Sequence, residues 1–255
     1  MHEDLVDEAS ELLTKTSNKN SENPKNTLAI FNLDFTIFEI DVGWSWVNFL
    51  IEGNHIDFRG CGDRNDYYCE LKSRGELDPA EYAMYLAGIY NRLGNKKEPL
   101  IKDFAKKVVM PNLRPKALAA LKAHEILGHT PVFTSDSESS IVDECHSRIS
   151  LEAYSWGGLS FTISTELQQD QNGYTGDIDG LANYLEGKVE GLKEGFRELS
   201  CCGIKPDFVY VYSNSFNDLP LLEFADTAYA VTPDARLRAE AESRGWEILD
   251  WSITA

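Results

Sequence analysis

The amino-acid sequence predicts an α/β protein, with a Rossmann-like parallel sheet core and an inserted α-helical module. An apolar run at residues 28–31 ends abruptly in polar side chains, which is typical of a strand covered on both faces. Residues 42–110 carry only helical patterns, whereas strands alternate with helices from residue 111 onward. Because this alternation is typical of parallel sheets, the sheet core is expected on either side of the helical stretch.

The first 26 residues predict a leader helix followed by a linker. Leu5, Ala9 and Leu12 recur at helical spacing, and residues 16–26 form a polar run. A terminal helix of this kind is usually held loosely, so we expect the leader to contribute little to the core.

Four helices are predicted between residues 42 and 110. Their patterns lie near residues 44–53, 67–75, 78–89 and 100–108. Asp78-Pro79 marks the start of the third helix, because Asp caps helices and Pro fits the first helical turn. The predicted organisation is a leader (1–26), a discontinuous α/β core (27–41 and 111–255) and a helical cap (42–110).

The later core elements are predicted from the same patterns. Helices are expected at residues 114–127, 138–147, 187–199, 219–224 and 235–245, and strands at 130–134, 160–165, 174–178, 208–212, 228–231 and 246–249. Asn172-Gly173 separates two of these strands. Because both residues tolerate positive φ, the pair predicts a β-hairpin turn.

The net charge argues against two classes of partner. A formal net charge of −18 would repel phosphate backbones and anionic lipid headgroups, so neither nucleic acid nor membrane is expected as a partner. The acidic amino terminus and the lack of a long apolar run predict no targeting segment.

Five cysteines without C-x-x-C spacing predict reduced thiols in a cytoplasmic protein, rather than disulfides or a zinc site. They are Cys61, Cys69, Cys145, Cys201 and Cys202.

Polar residues follow three of the predicted strands at their carboxyl ends. Asn32, Asp34 and Thr36 lie at the end of the first strand. The polar segments 134–137 and 213–218 follow two later strands. Because the carboxyl ends of parallel strands meet at one edge of a sheet, the three clusters are expected to converge in one crevice.

Each cluster has a simpler explanation when it is taken alone. Asp34 and Thr36 fit a turn or a helix cap, and Ser215-x-x-Asp218 resembles a capping box. Lys188 alone would be an ordinary surface lysine. A functional interpretation therefore depends on the combination of the clusters.

In combination, four motifs resemble those of the haloacid dehalogenase-like (HAD) superfamily. The motifs are Asn32-Leu33-Asp34-Phe35-Thr36, Gly128-His129 leading to Ser135, Gly187-Lys188, and Tyr212-Ser213-Asn214-Ser215-Phe216-Asn217-Asp218-Leu219-Pro220-Leu221-Leu222. Their order and spacing are similar to those of the phosphoserine-phosphatase-like branch, in which a helical cap is inserted after the first strand. The resemblance covers about residues 27–250.

The resemblance implies a phosphomonoesterase that works through an aspartyl-phosphate intermediate. In that scheme the residue at position 32 attacks phosphorus, while Asp34 protonates the leaving group and then activates water. The resemblance also implies phosphate contacts from Thr36, Ser135 and Lys188, of which Lys188 offsets charge in the transition state.

Magnesium is the cofactor that the resemblance implies. Its ligands would be the side chains at positions 32 and 214, the backbone carbonyl of Asp34, and Asp218. Asp41 falls at the entrance to the cap, where related phosphatases carry an acidic residue that contacts the substrate.

Two positions depart from the family pattern, because Asn32 and Asn214 stand where the family has Asp. An amide oxygen is a poor nucleophile, and loss of one member of a covalent catalytic unit costs on the order of 10⁴ to 10⁶ in rate. Magnesium favours anionic oxygen, so its binding is expected to be weak or absent. Loss of two carboxylates together with one Mg²⁺ leaves the formal charge around a bound phosphate unchanged.

The sequence therefore predicts a pseudo-phosphatase that binds a phosphorylated small molecule without hydrolysing it. Lys188, Ser135 and backbone N–H groups at helix starts would hold the phosphate without a metal. Two alternatives stay open. One is an active magnesium-dependent phosphomonoester phosphatase, and the other is a non-catalytic interaction scaffold that uses the acidic surface or the leader helix.

Overall fold

Seven strands form one sheet in the computed structural model, which describes residues 2–17, 26–153, 160–201 and 206–253. The strands are β1 (Thr27–Asn32), β2 (Thr130–Glu138), β3 (Phe161–Asp170), β4 (Gly173–Asp179), β5 (Phe208–Ser213), β6 (Thr227–Val231) and β7 (Glu247–Leu249). Their order across the sheet is β4-β3-β2-β1-β5-β6-β7, and every neighbouring pair is parallel except β3 and β4. The predicted α/β class with a Rossmann-like sheet is confirmed.

Helices precede, interrupt and follow the strands. The described residues form α1 (His2–Ser17), α2 (Val42–Glu52), α3 (Phe58–Arg74), α4 (Pro79–Leu93), α5 (Lys97–Phe104), α6 (Pro115–Ile126), α7 (Ser139–Ala153), α8 (Glu186–Cys201), α9 (Leu219–Phe224) and α10 (Ala235–Arg244). Helices α2 to α5 lie between β1 and β2 in the chain, as the sequence pattern predicts. Asp78 caps α4 by accepting a hydrogen bond from Ala80 N at 2.9 Å, and Pro79 is its first residue.

Strand β1 lies in the middle of the sheet and is covered on both faces. Leu28 and Ile30 belong to one buried cluster, whereas Ala29 and Phe31 belong to the other. The register pairs Asn32 with Thr134 of β2, and Phe31 with Tyr212 of β5. The residues that follow β1, β2 and β5 are therefore brought to the same edge of the sheet.

The strands from β2 to β4 differ from the sequence prediction in detail. Strand β2 continues to Glu138 instead of ending at Thr134, because Glu138 rejoins the ladder opposite Thr165 after a local irregularity. The predicted hairpin between β3 and β4 forms, but only Gly173 of the Asn172-Gly173 pair has a positive φ, of 119°. The Asn172 N–H instead donates to the Asp170 carboxylate at 2.7 Å.

The leader helix α1 packs on α6 and is held more firmly than the sequence predicts. Leu13 is only 1% exposed and joins the main buried cluster. Most of the predicted linker, residues 18–25, lies outside the described residues.

The helical segment between β1 and β2 is joined to the β3–β4 hairpin through α4 and α5. Asn91 and Tyr174 exchange two hydrogen bonds, Nδ2 to O at 2.8 Å and N to Oδ1 at 2.9 Å. The buried Lys97 ammonium lies 4.4 Å from the centre of the Tyr90 ring and 4.6 Å from that of Tyr174. Gly173 allows the close approach, because a Cβ there would lie 2.4 Å from Asn91 Oδ1.

Across the described ranges, no helix has both the length and the apolar content that a membrane crossing requires.

Gly187 at the start of α8 fits a position that has no room for a side chain. A Cβ on Gly187 would lie 2.0 Å from the carbonyl oxygen of Ala182. Since Lys188 is the next residue, this close contact helps to fix where the lysine enters the protein.

We expect Gly187→Ala to lower the free energy of unfolding by about 1–3 kcal/mol, because backbone must move to make room. The control is Gly195→Ala in the same helix, where a Cβ would make an ordinary contact of 3.7 Å with Ile163 Cδ1. Alanine is favoured over glycine inside helices by roughly 0.5–1 kcal/mol, so the control should be neutral or stabilising. Urea denaturation of both variants measures the difference, and equal effects would contradict the packing described here.

Candidate functional site

The carboxyl ends of β1, β2 and β5 meet at a cavity of about 390 Å³ between the sheet and α3. The residues lining it are Asn32, Asp34, Phe35, Asp41, Cys69, Lys72, Ser73, Asp136, Tyr184, Lys188, Asn214, Ser215, Asn217, Asp218, Asp234, Ala235 and Arg236. Six of the eight predicted site residues line this cavity, and the other two, Thr36 and Ser135, are hydrogen-bonded to residues that do. The sheet therefore brings the predicted residues together.

Asn32 occupies the centre of the site and is only 3% exposed. Its amide nitrogen donates to the backbone carbonyl of Asp34 at 3.1 Å and to Oδ1 of Asn214 at 3.3 Å. Its amide oxygen accepts a hydrogen bond from Lys188 Nζ at 3.4 Å. The Asn32 side chain thus links three of the predicted site residues.

The Asp34 carboxylate accepts two hydrogen bonds from residues outside the segment that directly follows β1. Oδ1 accepts a hydrogen bond from Val42 N at 2.7 Å, and Oδ2 accepts one from Ser135 Oγ at 2.6 Å. Burial raises the pKa of the Asp34 carboxyl from 3.8 to about 6, with the nearby Lys72 ammonium opposing the rise. A carboxyl of this kind can exchange a proton near neutral pH.

Thr36 and Ser135 are held at the same centre. The buried Thr36 hydroxyl donates to Asn214 Oδ1 at 3.3 Å. Ser135 is wholly buried, and its hydroxyl donates to Asp34 while accepting from Ser137 N at 3.1 Å. Local turn formation alone does not account for these contacts, because their partners are 101 and 178 residues apart in sequence.

Lys188 is buried, so the surface-lysine alternative is wrong. Its ammonium lies 2.7 Å from Asp218 Oδ1, and the second Asp218 oxygen accepts from Ser213 Oγ. Burial acts to lower the pKa of Lys188, but the Asp218 and Asp136 carboxylates outweigh it and the pKa is raised. In the Ser215-x-x-Asp218 segment, Ser215 does cap by accepting from Asn217 N, while Asp218 serves the buried ion pair.

Asp41 lies at the start of α2 and joins a charge cluster that the sequence analysis missed. Asp41 Oδ1 caps α2 by accepting from Trp44 N at 2.8 Å. Lys72 Nζ of α3 lies 2.7 Å from both Asp41 Oδ2 and Asp136 Oδ1. Burial acts to lower the pKa of Lys72, yet the surrounding carboxylates raise it well above its ordinary value.

Lys72 also connects the cavity to the core through its backbone. Its carbonyl oxygen accepts hydrogen bonds from Asn217 Nδ2 at 2.6 Å and from Tyr184 Oη at 3.3 Å. The position of Asp136, directly after Ser135, was the available sequence signal for this cluster. Lys72 had no such signal in the sequence, because its charged partners Asp41 and Asp136 lie outside α3.

Phe35 and Arg236 are two further lining residues that the sequence analysis did not assign. Phe35 has a φ of +52°, and the residue is 44% exposed. The Arg236 guanidinium lies 4.0 Å from the centre of the Phe216 ring. Both side chains lie around the same cavity as Asn32 and Lys188.

His129 of the Gly128-His129 motif lies away from the cavity. Its Nδ1 is 2.7 Å from Nδ1 of His124, whose Nε2 is 2.9 Å from the Tyr212 hydroxyl. Burial lowers the pKa of His129 to about 4 and the pKa of His124 well below its usual value. These neutral imidazoles contact the sheet at Tyr212 of β5 and are not among the residues that line the cavity.

The side chains present do not fit a magnesium ion. The Asp34 carbonyl and Asn214 Oδ1, both implied as ligands, already accept hydrogen bonds from the Asn32 amide. The one implied carboxylate ligand, Asp218, is paired with Lys188. Within the described residues, no three His, Cys, Asp or Glu side chains are grouped so that they could hold a metal. Phosphatases of the HAD family in general use Mg²⁺, so the chemistry of this donor set is a departure.

The fold and the site define a phosphatase-like member of the HAD hydrolases. A family model described as "haloacid dehalogenase-like hydrolase" matches residues 29–223, and the chain belongs to that family. The predicted resemblance to the phosphoserine-phosphatase-like branch is confirmed.

Individual relatives are phosphatases or share the fold. The chain is 29% identical to a histidinol-phosphatase of Neisseria meningitidis serogroup C, over 88% of this chain and 98% of that protein. It is 36% identical to phosphoserine phosphatase SerB1 of Mycobacterium tuberculosis, but over only 38% of this chain and 30% of that protein.

Solved structures show the same architecture. A protein of unknown function from Bordetella pertussis Tohama I superposes with a TM-score of 0.77 at 27% identity, covering 89% of this chain and 99% of that one. A phospho-aspartyl intermediate analogue of phosphoserine phosphatase superposes with a TM-score of 0.59 at 16% identity, covering 89% and 94%. The latter likeness shows the fold alone.

We expect Lys188→Met to lower the free energy of unfolding by about 3–5 kcal/mol, because it leaves Asp218 buried without its partner. Lys193→Met is the matched control in the same helix, since the Lys193–Glu190 pair is about half exposed. An exposed pair contributes roughly 0–1 kcal/mol. Chemical denaturation measures both, and Lys188→Met/Asp218→Leu should recover much of the loss. Equal effects of the two Met variants would contradict the burial of this ion pair.

Proposed function

We propose that the chain is a non-hydrolysing HAD-family protein that binds a phosphorylated small molecule at the carboxyl edge of its sheet. The observation that carries the proposal is the environment of Asn32. Its amide nitrogen donates to the Asp34 carbonyl and to Asn214 Oδ1, so a neutral amide fills the centre where the family's attacking carboxylate and metal would meet.

Loss of hydrolysis follows from the chemistry of this amide. The Asn32 oxygen is neutral and accepts a hydrogen bond from Lys188, so it is a poor nucleophile toward phosphorus. Asp34 keeps the position and the raised pKa of an acid–base group. Acid–base assistance does not replace an attacking atom, and the expected rate loss is on the order of 10⁴ to 10⁶.

Phosphate binding is proposed to persist, and the position of Lys188 in the cavity lining supports this. The Lys188 ammonium lies 3.4 Å from Asn32 Oδ1, so its positive charge is at the position where phosphorus would be attacked. The Ser135 and Thr36 hydroxyls lie at the same centre. Two amides in place of two carboxylates remove as much negative charge as an absent Mg²⁺ removes positive charge.

The helical segment is proposed as a cap that encloses the ligand. We assign residues 42–110 to the cap, 27–41 and 111–255 to the core, and 1–26 to the leader and linker. Asp41 is proposed to contact the part of the ligand beyond the phosphate. Lys72, which lies on the proposed cap, pairs with both Asp41 and Asp136. This pairing supports the assignment, because it brings the positive charge of a cap residue to Asp41 in the cavity.

A cytoplasmic location is proposed from the cysteines. Cys61, Cys69 and Cys145 are free thiols among the residues that the structure describes, and Cys145 is buried. The net charge of −18 supports a small-molecule ligand over nucleic acid or an anionic membrane.

An active magnesium-dependent phosphatase is the second candidate. It is favoured by the relatives with phosphatase names and by the retained Asp34, Ser135 and Lys188. Measurements of phosphate binding and of phosphate-ester turnover separate the two candidates.

We expect inorganic phosphate to bind the protein with the same affinity in the presence and absence of millimolar Mg²⁺, because no step of binding needs the metal. Isothermal titration calorimetry measures both affinities, and turnover is measured with 4-nitrophenyl phosphate. The protein as it stands should give no saturable turnover. Asn32→Asp/Asn214→Asp should make phosphate binding depend on Mg²⁺ and should give turnover.

The matched control is Asn54→Asp/Asn95→Asp, which adds the same two charges at exposed positions outside the cavity. This control should behave as the unchanged protein does. Saturable turnover by the unchanged protein would establish the active phosphatase instead. A lack of phosphate binding under both conditions would refute the proposed function and leave the interaction scaffold.

A further inference from the structure

The cavity lining includes two flat side chains to which the proposed phosphate binding assigns no role. Phe35 and Arg236 both line the cavity, yet neither contacts Asn32, Lys188 or Ser135 through a hydrogen bond in the described structure. We propose that they stack on the ligand, which is a phosphomonoester whose alcohol part carries a planar aromatic ring. This inference rests on the proposed function, because it names the ligand class of the same site.

Phe35 is held in a backbone conformation that disfavours a bulky residue. Its φ is +52° and its ψ is 4°, in the left-handed region where glycine or asparagine is far more common. The surrounding backbone fixes it there, since Phe35 N donates to Ile40 O at 3.1 Å and Phe38 N donates to Leu33 O at 3.0 Å. A strained residue that persists in a site is evidence for a role there.

Core packing does not explain a phenylalanine at this position. Phe35 is 44% exposed, whereas its neighbours Leu33 and Ile37 are fully buried. The ring therefore presents an accessible apolar face beside Asp34, at the edge of the cavity. An aromatic ligand would cover this face and gain the contact that the folded protein leaves unused.

Arg236 offers a second flat surface. One face of its guanidinium lies on the Phe216 ring, 4.0 Å from the ring centre. Asp234 fixes both elements, because its carboxylate accepts from Phe216 N and from Leu237 N, each at 2.8 Å. The guanidinium is thus preorganised, and its other face can stack on an aromatic ring.

The size and charge of the cavity restrict the range of ligands further. A volume of about 390 Å³ suits a small molecule. The lining side chains described here include five carboxylates and three cations, so a second anionic group on the ligand would be repelled. A neutral or cationic ring attached to one phosphate fits these conditions.

The experiment compares phenyl phosphate with cyclohexyl phosphate by isothermal titration calorimetry. The two esters have the same number of carbon atoms, but only the phenyl ring is planar and aromatic. We expect the unchanged protein to bind phenyl phosphate about 5- to 10-fold more tightly, as one aromatic stacking contact allows. Equal affinities would overturn the inference.

Phe35→Leu and Arg236→Leu should each reduce this preference, and together they should abolish it. Tyr67→Leu is the control, because Tyr67 is 53% exposed on α3 and lies outside the cavity lining, so the preference should remain. Phe35→Asn tests the strain separately: it should raise the melting temperature while it lowers the preference. Retention of the full preference in both Phe35 variants would contradict the role of Phe35.

Inorganic phosphate separates this inference from the proposed function. If phosphate and both esters bind equally well, the aromatic ligand class is refuted and the proposed function stands. If none of the three binds, both fail. A phosphotyrosine peptide should bind more weakly than phenyl phosphate, and tighter binding of the peptide would refute the assignment to a free small molecule.

Discussion

The Asn32 amide donates one hydrogen bond to the Asp34 carbonyl, directly after β1, and one to Asn214 Oδ1, which joins β1 to the loop after β5 at the point where the sheet presents its polar residues. An aspartate at position 32 has no hydrogen to donate and would face the Asp34 carbonyl and Asn214 Oδ1 with negative charge, which calls for a bridging cation. In the proposed function the amide N–H takes the place of that cation. Asn214 fits the same solution, because its neutral oxygen accepts from both Asn32 and Thr36.

The two lysines that line the cavity are paired with carboxylates of the protein. Lys188 is held by Asp218, and Lys72 is held between Asp41 and Asp136. The second pairing also joins α3 to the end of β2, while Lys97 and Asn91 join α4 and α5 to the β3–β4 hairpin. These contacts attach the helical segment to the core both beside the cavity and at the edge of the sheet.

The sequence predicted the features that depend on local pattern and spacing. The buried run before Asn32, the alternation after residue 111 and the four inserted helices all appear in the structure. The order of the motifs also predicted that Asn32, Ser135 and Lys188 lie at one site. Lys72, Phe35 and Arg236 were missed, because an ion pair across 64 residues, a positive φ and a ring contact leave no periodic signal. The docking of α1 was missed for the same reason, since burial of Leu13 depends on α6.

The central claim is that an amide has replaced a metal centre, and Mn²⁺ titration observed on side-chain amide resonances tests it most directly. Mn²⁺ binds oxygen ligands much as Mg²⁺ does and broadens nearby resonances. Our account predicts that the side-chain amides of Asn32 and Asn214 broaden no more than those of exposed asparagines such as Asn54 and Asn95. Selective broadening of Asn32 and Asn214 at low Mn²⁺ concentration would contradict it.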